Sequence, residues 1–173
     1  MQFRTLKANE IDVRVAQIDK NWCTLLLYKD ARVDQDILDE TVGAMNWQRK
    51  HLRDNANCIV EIWDSEKSQW VSKEDTGTES NTEKEKGLAS DSFKRACFNW
   101  GIGRELYTSP FIWIGANKCN IYLNDKGKYA CKDNFKVEAI EITDKVITGL
   151  SIINQKNDRV FVFGFGWYHP GFP

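Results

Sequence analysis

The chain has 173 residues, of which 42% are hydrophobic and 12% aromatic, enough for a packed core in a domain of ordinary size. Its formal net charge of −1 excludes a globally basic nucleic-acid-binding protein, so a polyanion site would depend on local clustering of charge. No run approaches ~18 apolar residues, and no apolar leader follows Met1, so we expect no membrane association and a cytoplasmic location.

The hydrophobic pattern predicts mainly short strands. The apolar run "WCTLLLY" is typical of a buried strand, and "CIVEIWD" and "QWVSK" predict a hairpin around the polar turn "SEKS". Further strands are predicted within residues 10–18, 111–115, 119–131, 135–143, 146–153 and 159–166.

Two segments have helical periodicity. Apolar residues at helical spacing from Val33 to Met45 predict a first helix, with Asp30 or Asp34 as its N-cap. The second helix lies in "KGLASDSFKRACFNWGIGRELYTSP" (86–110), after a capping-box sequence that begins at Thr82.

The apolar residues of the second helix form one stripe, and Gly101 is placed to end the helix. The stripe consists of Ala89, Phe93, Ala96, Cys97 and Trp100. Together the elements predict an α+β fold, with a mainly antiparallel sheet and helices packed on one face, in a single domain over residues 1–173.

The five cysteines are expected to be reduced thiols, because their number is odd and no C-x-x-C pair occurs. His51 and His169 are the two histidines, and neither has ligand spacing to a cysteine. We therefore expect no structural zinc and no other cofactor.

The "GIG" turn at residues 101–103 raises the question of a nucleotide-binding loop. A phosphate cradle places glycines before a helix, where backbone amides and the helix dipole favour an anion. Here the glycines follow a helix, and Leu106 occupies the third glycine position of G-x-G-x-x-G. The turn is better interpreted as a helix stop, and since no hydrolase or metalloprotease motif occurs either, we expect no enzyme activity.

Positive charge is concentrated in two segments of this nearly neutral chain. Residues 84–104 carry Lys84, Lys86, Lys94, Arg95 and Arg104 against two acidic residues, a net charge of +3. Residues 118–136 carry five lysines against two aspartates, again +3. Such residues commonly cover a solvated face, but a Lys-Arg pair followed by a further arginine can also track a phosphate backbone.

The segment "KGLASDSFKRACFNWGIGRELY" resembles the signature segment of the Rad-fifty-two/twenty-two family of single-strand annealing proteins, which includes phage recombination proteins and DdrA-like DNA-damage proteins. Upstream, "YKDARVDQDILDETVGAMNW" and "WVSKEDTGTES" resemble the family's strand-to-helix junction and the hairpin strand before the signature helix. The three segments have the family's order and together span residues 28–107.

The resemblance implies a β-β-β-α core, a homo-oligomeric ring or filament, and ATP-independent annealing of complementary single strands of DNA in recombination or repair. It suggests a phage or prophage protein in a bacterial cell, with a phage exonuclease or a single-strand-binding protein as further partners.

Matched position by position, Arg32 corresponds to the family's groove arginine, and Lys94 and Arg95 to the Lys-Arg pair of its signature helix. Phe98 stands where eukaryotic relatives have a further basic residue, for which Arg104 is the candidate replacement. Two alternatives remain open: a protein that protects DNA 3′ ends without annealing, and an unrelated enzyme on a helix-on-sheet fold.

Overall fold

The computed structural model describes residues 1–78 and 84–165, without the side chains of residues 84–86. The chain forms two compact units. The first unit comprises Met1–Thr5 and Asp30–Arg104, and the second comprises Leu6–Lys29 and the described residues from Glu105 onward. That both units act as one DNA-binding domain over residues 1–173 stays a prediction.

The expected α+β class is confirmed: the described residues form two α-helices and sheets whose strand pairings are antiparallel. In chain order the elements are β1 (Asp12–Asp19), β2 (Trp22–Tyr28), α1 (Ala31–Val42), β3 (Trp47–Leu52), β4 (Asn57–Asp64), β5 (Gln69–Thr76), α2 (Lys84–Asn99), β6 (Ile112–Gly115), β7 (Ile121–Leu123), β8 (Tyr129–Cys131), β9 (Lys136–Thr143), β10 (Val146–Ile153) and β11 (Arg159–Phe163). Short 3-10 helices lie at Ala8–Glu10 and Arg104–Thr108.

Helix α1 begins as predicted and ends earlier than predicted. The Asp30 carboxylate accepts the backbone N–H of Arg32 at 2.8 Å, so Asp30, not Asp34, is the N-cap. Gly43, with φ of +86°, ends the helix after Val42. Met45, predicted on the apolar face, lies beyond this end and is 89% exposed.

The first unit contains a three-stranded sheet in the order β3-β4-β5, against which α2 packs. Cys58, Val60 and Ile62 alternate along β4 and are buried, because this face of the sheet is covered by the helix. Strand β3, which hydrophobic alternation does not predict, pairs with β4 throughout its length. The strands β3, β4 and β5 followed by α2 give the β-β-β-α order.

Helix α2 supplies the centre of this core through Phe93, Ala96 and Cys97, all fully buried. Gly101, with φ of +98°, terminates it in a Schellman motif: Ile102 N–H donates to Cys97 C=O at 3.2 Å, and Gly101 N–H donates to Phe98 C=O at 3.0 Å. The prediction of a glycine stop is therefore confirmed. The predicted capping box at Thr82 lies outside the described residues.

The second unit is built on a six-stranded sheet in the order β11-β10-β9-β1-β2-β6. Parts of its edge strands, β6 and β11, approach to within 8 Å between Cα atoms, so the sheet is strongly curled. Its buried side chains include Leu25, Ile114 and Leu150. Strands β7 and β8 form a separate two-stranded hairpin.

The five cysteines all lie in the described residues, and none forms a disulfide. Cys23 and Cys119 of the second unit bring their Sγ atoms to 3.9 Å. Burial raises the pKa of the Cys23 thiol to about 12 and that of the Cys58 thiol to about 11, so both are protonated at neutral pH. Neither α1 nor the described part of α2 is long and apolar enough to cross a membrane.

We expect Phe93→Ala to lower the free energy of unfolding by about 3–5 kcal/mol, because it leaves a cavity between α2 and the sheet. Urea denaturation followed by circular dichroism measures the change. Met45→Ala is the control and should change stability by less than ~0.5 kcal/mol, since Met45 is 89% exposed. Equal stability of the two variants would contradict the assignment of Phe93 to the core.

Candidate nucleic-acid interface

The first turn of α1 presents Arg32 at the surface of the first unit. Its guanidinium donates through Nε to Asp30 Oδ1 at 3.0 Å and through Nη2 to Asp30 Oδ2 at 3.1 Å. The side chain nevertheless remains 81% exposed. Asp30 therefore caps the helix and fixes Arg32 in one orientation, with the guanidinium accessible to solvent.

Lys94 of α2 lies near this pair. Hydrogen bonds from the Arg32 side chain are the main reason why the pKa of Asp30 falls from 3.8 to about 2, and the charge of Lys94 also lowers it. Lys94 likewise lowers the pKa of Asp91, one turn back along α2. The charge of Lys94 thus reaches Asp30, the partner of Arg32, although the three strands of the first unit's sheet separate Asp30 from Lys94 in sequence.

Arg95 forms an ion pair with Asp91, and the Asp91 carboxylate also accepts a hydrogen bond from the chain that follows β5. Arg95 Nε donates to Asp91 Oδ2 at 3.0 Å, and the same oxygen accepts the Thr78 backbone N–H at 2.8 Å. Burial raises the pKa of Asp91, but the bonds from Thr78 and Arg95 outweigh it, so the net pKa is below the ordinary value. Asp91 and Arg95 therefore form an i,i+4 ion pair on α2, and Asp91 also binds the Thr78 backbone.

Gly77 allows the chain to approach α2 this closely. A Cβ atom at Gly77 would lie 2.6 Å from the backbone nitrogen of Ser92, which is inside van der Waals contact with an atom that cannot move aside. The small residue places Thr78 over α2, where its N–H reaches Asp91. The Gly-containing loop before the helix thereby helps to set the position of Arg95.

Sequence reasoning did not single out Arg49. Its guanidinium carbon lies 4.6 Å from the centroid of the Phe93 ring, and the Trp47 ring stacks on Phe93 at 6.1 Å between centroids. Arg49 is exposed and lies beside α2, on the ring of the residue that precedes Lys94. No sequence pattern marks Arg49, because its place on the helix-covered face of β3, opposite buried Val60, depends on a strand register that only the structure shows.

Arg104 lies at the C-terminal end of α2. Its Nε donates to Phe98 C=O at 2.8 Å and its Nη2 to Asn99 C=O at 3.0 Å. Lys73 of β5 donates to the same Asn99 carbonyl at 2.9 Å. Arg104 is exposed but caps the helix, and a role of Arg104 in place of the basic residue replaced by Phe98 stays a prediction.

Lys84 and Lys86 belong to the first turn of α2, but their side chains lie outside the described residues. Of the cations identified from the sequence, Arg32, Lys94 and Arg95 therefore have described side chains and belong to the first unit. Arg104 lies beyond them, past the last residue of α2.

The arrangement suits binding of an anion and does not form a phosphate cradle at the glycine turn. The N–H groups of Gly101 and Ile102 donate to carbonyls of the last turn of α2, so the Schellman motif occupies them. Within residues 1–78 and 84–165, no cluster of three or more His, Cys, Asp or Glu side chains could hold a metal ion. The chemistry available to the described cations is electrostatic contact with phosphates.

Comparison of the chain with protein-family models, curated proteins and solved structures found no match.

We expect the Asp30–Arg32 pair to contribute to acid sensitivity. Because the folded-state pKa of Asp30 is lowered from 3.8 to about 2, its contribution to stability is present above the unfolded value and lost as pH falls between these values. Asp30→Asn keeps a good N-cap but removes the charge, so it should lose less stability than the wild type between pH 5 and pH 2, as measured by urea denaturation.

Arg32→Gln should reduce the same pH dependence in part, because the Arg32 backbone N–H still stabilises the Asp30 carboxylate. The double variant should match Asp30→Asn, which already lacks the titrating group. Wild-type acid sensitivity in both single variants would contradict the coupling of Asp30 to Arg32.

Proposed function

We propose that the protein binds single-stranded DNA and anneals complementary strands without ATP, in homologous recombination or repair. The observation that carries the proposal is that the charge of Lys94 reaches Asp30, the ion-pair partner of Arg32, while Arg95, next to Lys94 on α2, is paired with Asp91. Arg49, exposed beside the same helix, joins them as a fourth candidate contact.

The pattern of charges supports phosphate recognition over base recognition. Side chains that contact phosphates bind DNA without reading its sequence, and they leave the Watson-Crick edges of the bases available to a second strand. Annealing requires that exposure. It requires no hydrolysis, which agrees with a glycine turn whose amides are used to end a helix.

We further propose that the protein acts as a homo-oligomer, as a ring or a filament. The face of the three-stranded sheet opposite α2 carries Trp63 and Trp70, whose rings form an edge-to-face pair at 5.5 Å. They are 37% and 38% exposed. Apolar surface of this kind favours contact between protein chains.

Lys94→Ala combined with Arg95→Ala should weaken binding to a labelled oligonucleotide while the fold persists, because neither side chain belongs to the buried stripe of α2. Removing one phosphate interaction on a single strand lowers the slope of log affinity against log salt by roughly 0.7, so the double variant should show a slope shallower by about 1.4. Fluorescence anisotropy over a salt series measures both quantities.

The matched control removes two lysines from turns: Lys20→Ala, between β1 and β2, with Lys67→Ala, between β4 and β5. It should keep the wild-type slope. An unchanged slope in the Lys94/Arg95 variant would contradict the interface. Annealing of two complementary labelled strands should exceed the protein-free rate, whereas protection of 3′ ends without faster annealing would favour the alternative function.

We expect a particle mass above that of the 20.0 kDa monomer at micromolar concentration, in a light-scattering measurement with and without an oligonucleotide. Trp63→Ser with Trp70→Ser should reduce the mass, because it removes the exposed apolar pair, and Met45→Ser is the control for removal of an exposed apolar side chain. A strictly monomeric wild type under both conditions would contradict the proposal.

A further inference from the structure

The hairpin of the second unit carries a concentration of aromatic and basic side chains that the interface on the first unit does not use. We name residues 120–132, which comprise β7, β8 and the following Lys132, the tyrosine-lysine hairpin. Its two strands form a sheet of their own. In its register Leu123 lies opposite Tyr129, and Tyr122 lies opposite Ala130.

The base of the hairpin is anchored in the second unit. Asp133 is 7% exposed and accepts four hydrogen bonds, from the Asn120 backbone N–H at 2.6 Å, the Asn120 side-chain amide at 2.8 Å, the Gln155 amide at 2.8 Å and the Cys131 thiol at 3.9 Å. Lys132 N–H also donates to Asn120 C=O at 3.0 Å. Both ends of the hairpin are thereby fixed, so its surface is preorganised for a ligand.

Hydrogen bonds also order the turn at the tip of the hairpin, between β7 and β8. The Asn124 side-chain oxygen accepts the backbone N–H groups of Lys126 at 3.0 Å and Lys128 at 2.9 Å. Gly127, with φ of +69°, supplies the left-handed residue that the turn requires. The two lysines therefore project from a defined turn, and both are exposed.

The strands next to this tip expose apolar rings. The exposed fraction is 39% for Tyr122 and 37% for Tyr129, and the aliphatic side chain of Leu123 beside them is 60% exposed. This is a large apolar area for a two-stranded hairpin. Lys132 Nζ lies 4.9 Å from the centroid of the Tyr122 ring, which places a cation beside an aromatic face. Because successive strand residues alternate in direction, Tyr122 and Tyr129 lie on opposite faces of the hairpin.

Charge decides which partner this surface fits. Residues 118–136 carry a net charge of +3, and one of the two aspartates, Asp133, is buried. A basic surface with exposed aromatic rings is the combination that binds single-stranded nucleic acid, since lysines contact phosphates and rings stack on bases. An apolar protein partner would use the rings but would leave the lysines without partners.

We propose that the tyrosine-lysine hairpin is a stacking contact for single-stranded DNA, in which Tyr122 and Tyr129 stack on bases and Lys126, Lys128 and Lys132 bind phosphates. This inference rests on the proposed function for the identity of its ligand. It differs in mechanism, because the interface on the first unit binds the backbone alone, whereas the hairpin holds bases.

Two sets of variants separate the two components of the contact. Lys126→Gln, Lys128→Gln and Lys132→Gln together should make the salt slope for an oligothymidine shallower by about 2, at roughly 0.7 for each phosphate bound. Tyr122→Leu with Tyr129→Leu keeps apolar strand residues but removes the rings, and should weaken binding about fivefold or more for each base stacked, with the slope unchanged.

A direct readout uses the wild-type protein, so it does not depend on the folding of any variant. Irradiation of its complex with an oligonucleotide containing 5-iododeoxyuridine, followed by peptide mass spectrometry, should yield cross-links at Tyr122 or Tyr129. Wild-type affinity and slope in both variant sets, together with no cross-link in residues 120–132, would overturn the proposal. A changed particle mass in the tyrosine variant with unaltered oligonucleotide binding would also overturn it, in favour of a protein contact.

The Lys94→Ala/Arg95→Ala variant, measured in parallel, distinguishes failure of this inference from failure of the proposed interface. If that variant loses affinity and the hairpin variants do not, the hairpin proposal fails and the first interface stands. If the hairpin variants lose affinity and the Lys94/Arg95 variant does not, the hairpin is the contact and the first interface fails. A wild-type protein that binds no oligonucleotide overturns both.

Discussion

Phe93 contacts both the indole of Trp47 and the guanidinium of Arg49, and it is fully buried. This contact fixes the rotation of α2 about its own axis, because a helix that buries Phe93, Ala96 and Cys97 must turn the intervening positions outward. Lys94 and Arg95 are those positions. The display of charge on the first unit therefore depends on an apolar contact beneath it.

The cations of the interface are held by acidic neighbours. Pairing Arg32 with Asp30 and Arg95 with Asp91 lowers the net positive charge of the surface, which weakens long-range attraction for a polyanion. It also orders long side chains before a ligand arrives, which reduces the entropic cost of binding. Such a surface favours defined contacts with phosphates over a diffuse positive field.

Local sequence patterns are sufficient to predict features that depend on a single secondary-structure element or turn. The Asp30 cap, the hairpin of β4 and β5 and the glycine stop of α2 are all predictable, because each depends on residues close in sequence. Strand β3 escapes prediction because its helix-covered face carries Trp47, Arg49 and His51 instead of aliphatic residues.

The division into two units escapes prediction for a different reason. The chain passes from the second unit to the first after Lys29 and returns after Arg104, so each unit is assembled from separate stretches and no polar linker marks the boundary. The cation-π contact of Arg49 and the capping contacts of Arg104 likewise join residues whose relation emerges only once the strands and helix are packed. The interface residues themselves come from charge counting and family resemblance.

The contacts at the end of α2 have an electrostatic consequence. A helix carries about half a negative elementary charge at its C-terminus, which would repel a phosphate chain running along the helix surface. Arg104 and Lys73 place two positive charges on the last carbonyls of α2. They neutralise the repulsive end of the dipole, so a polyanion can extend past Phe98 without meeting an unfavourable potential. Under the proposed function, Arg104 would assist a bound strand by screening alone, without touching it.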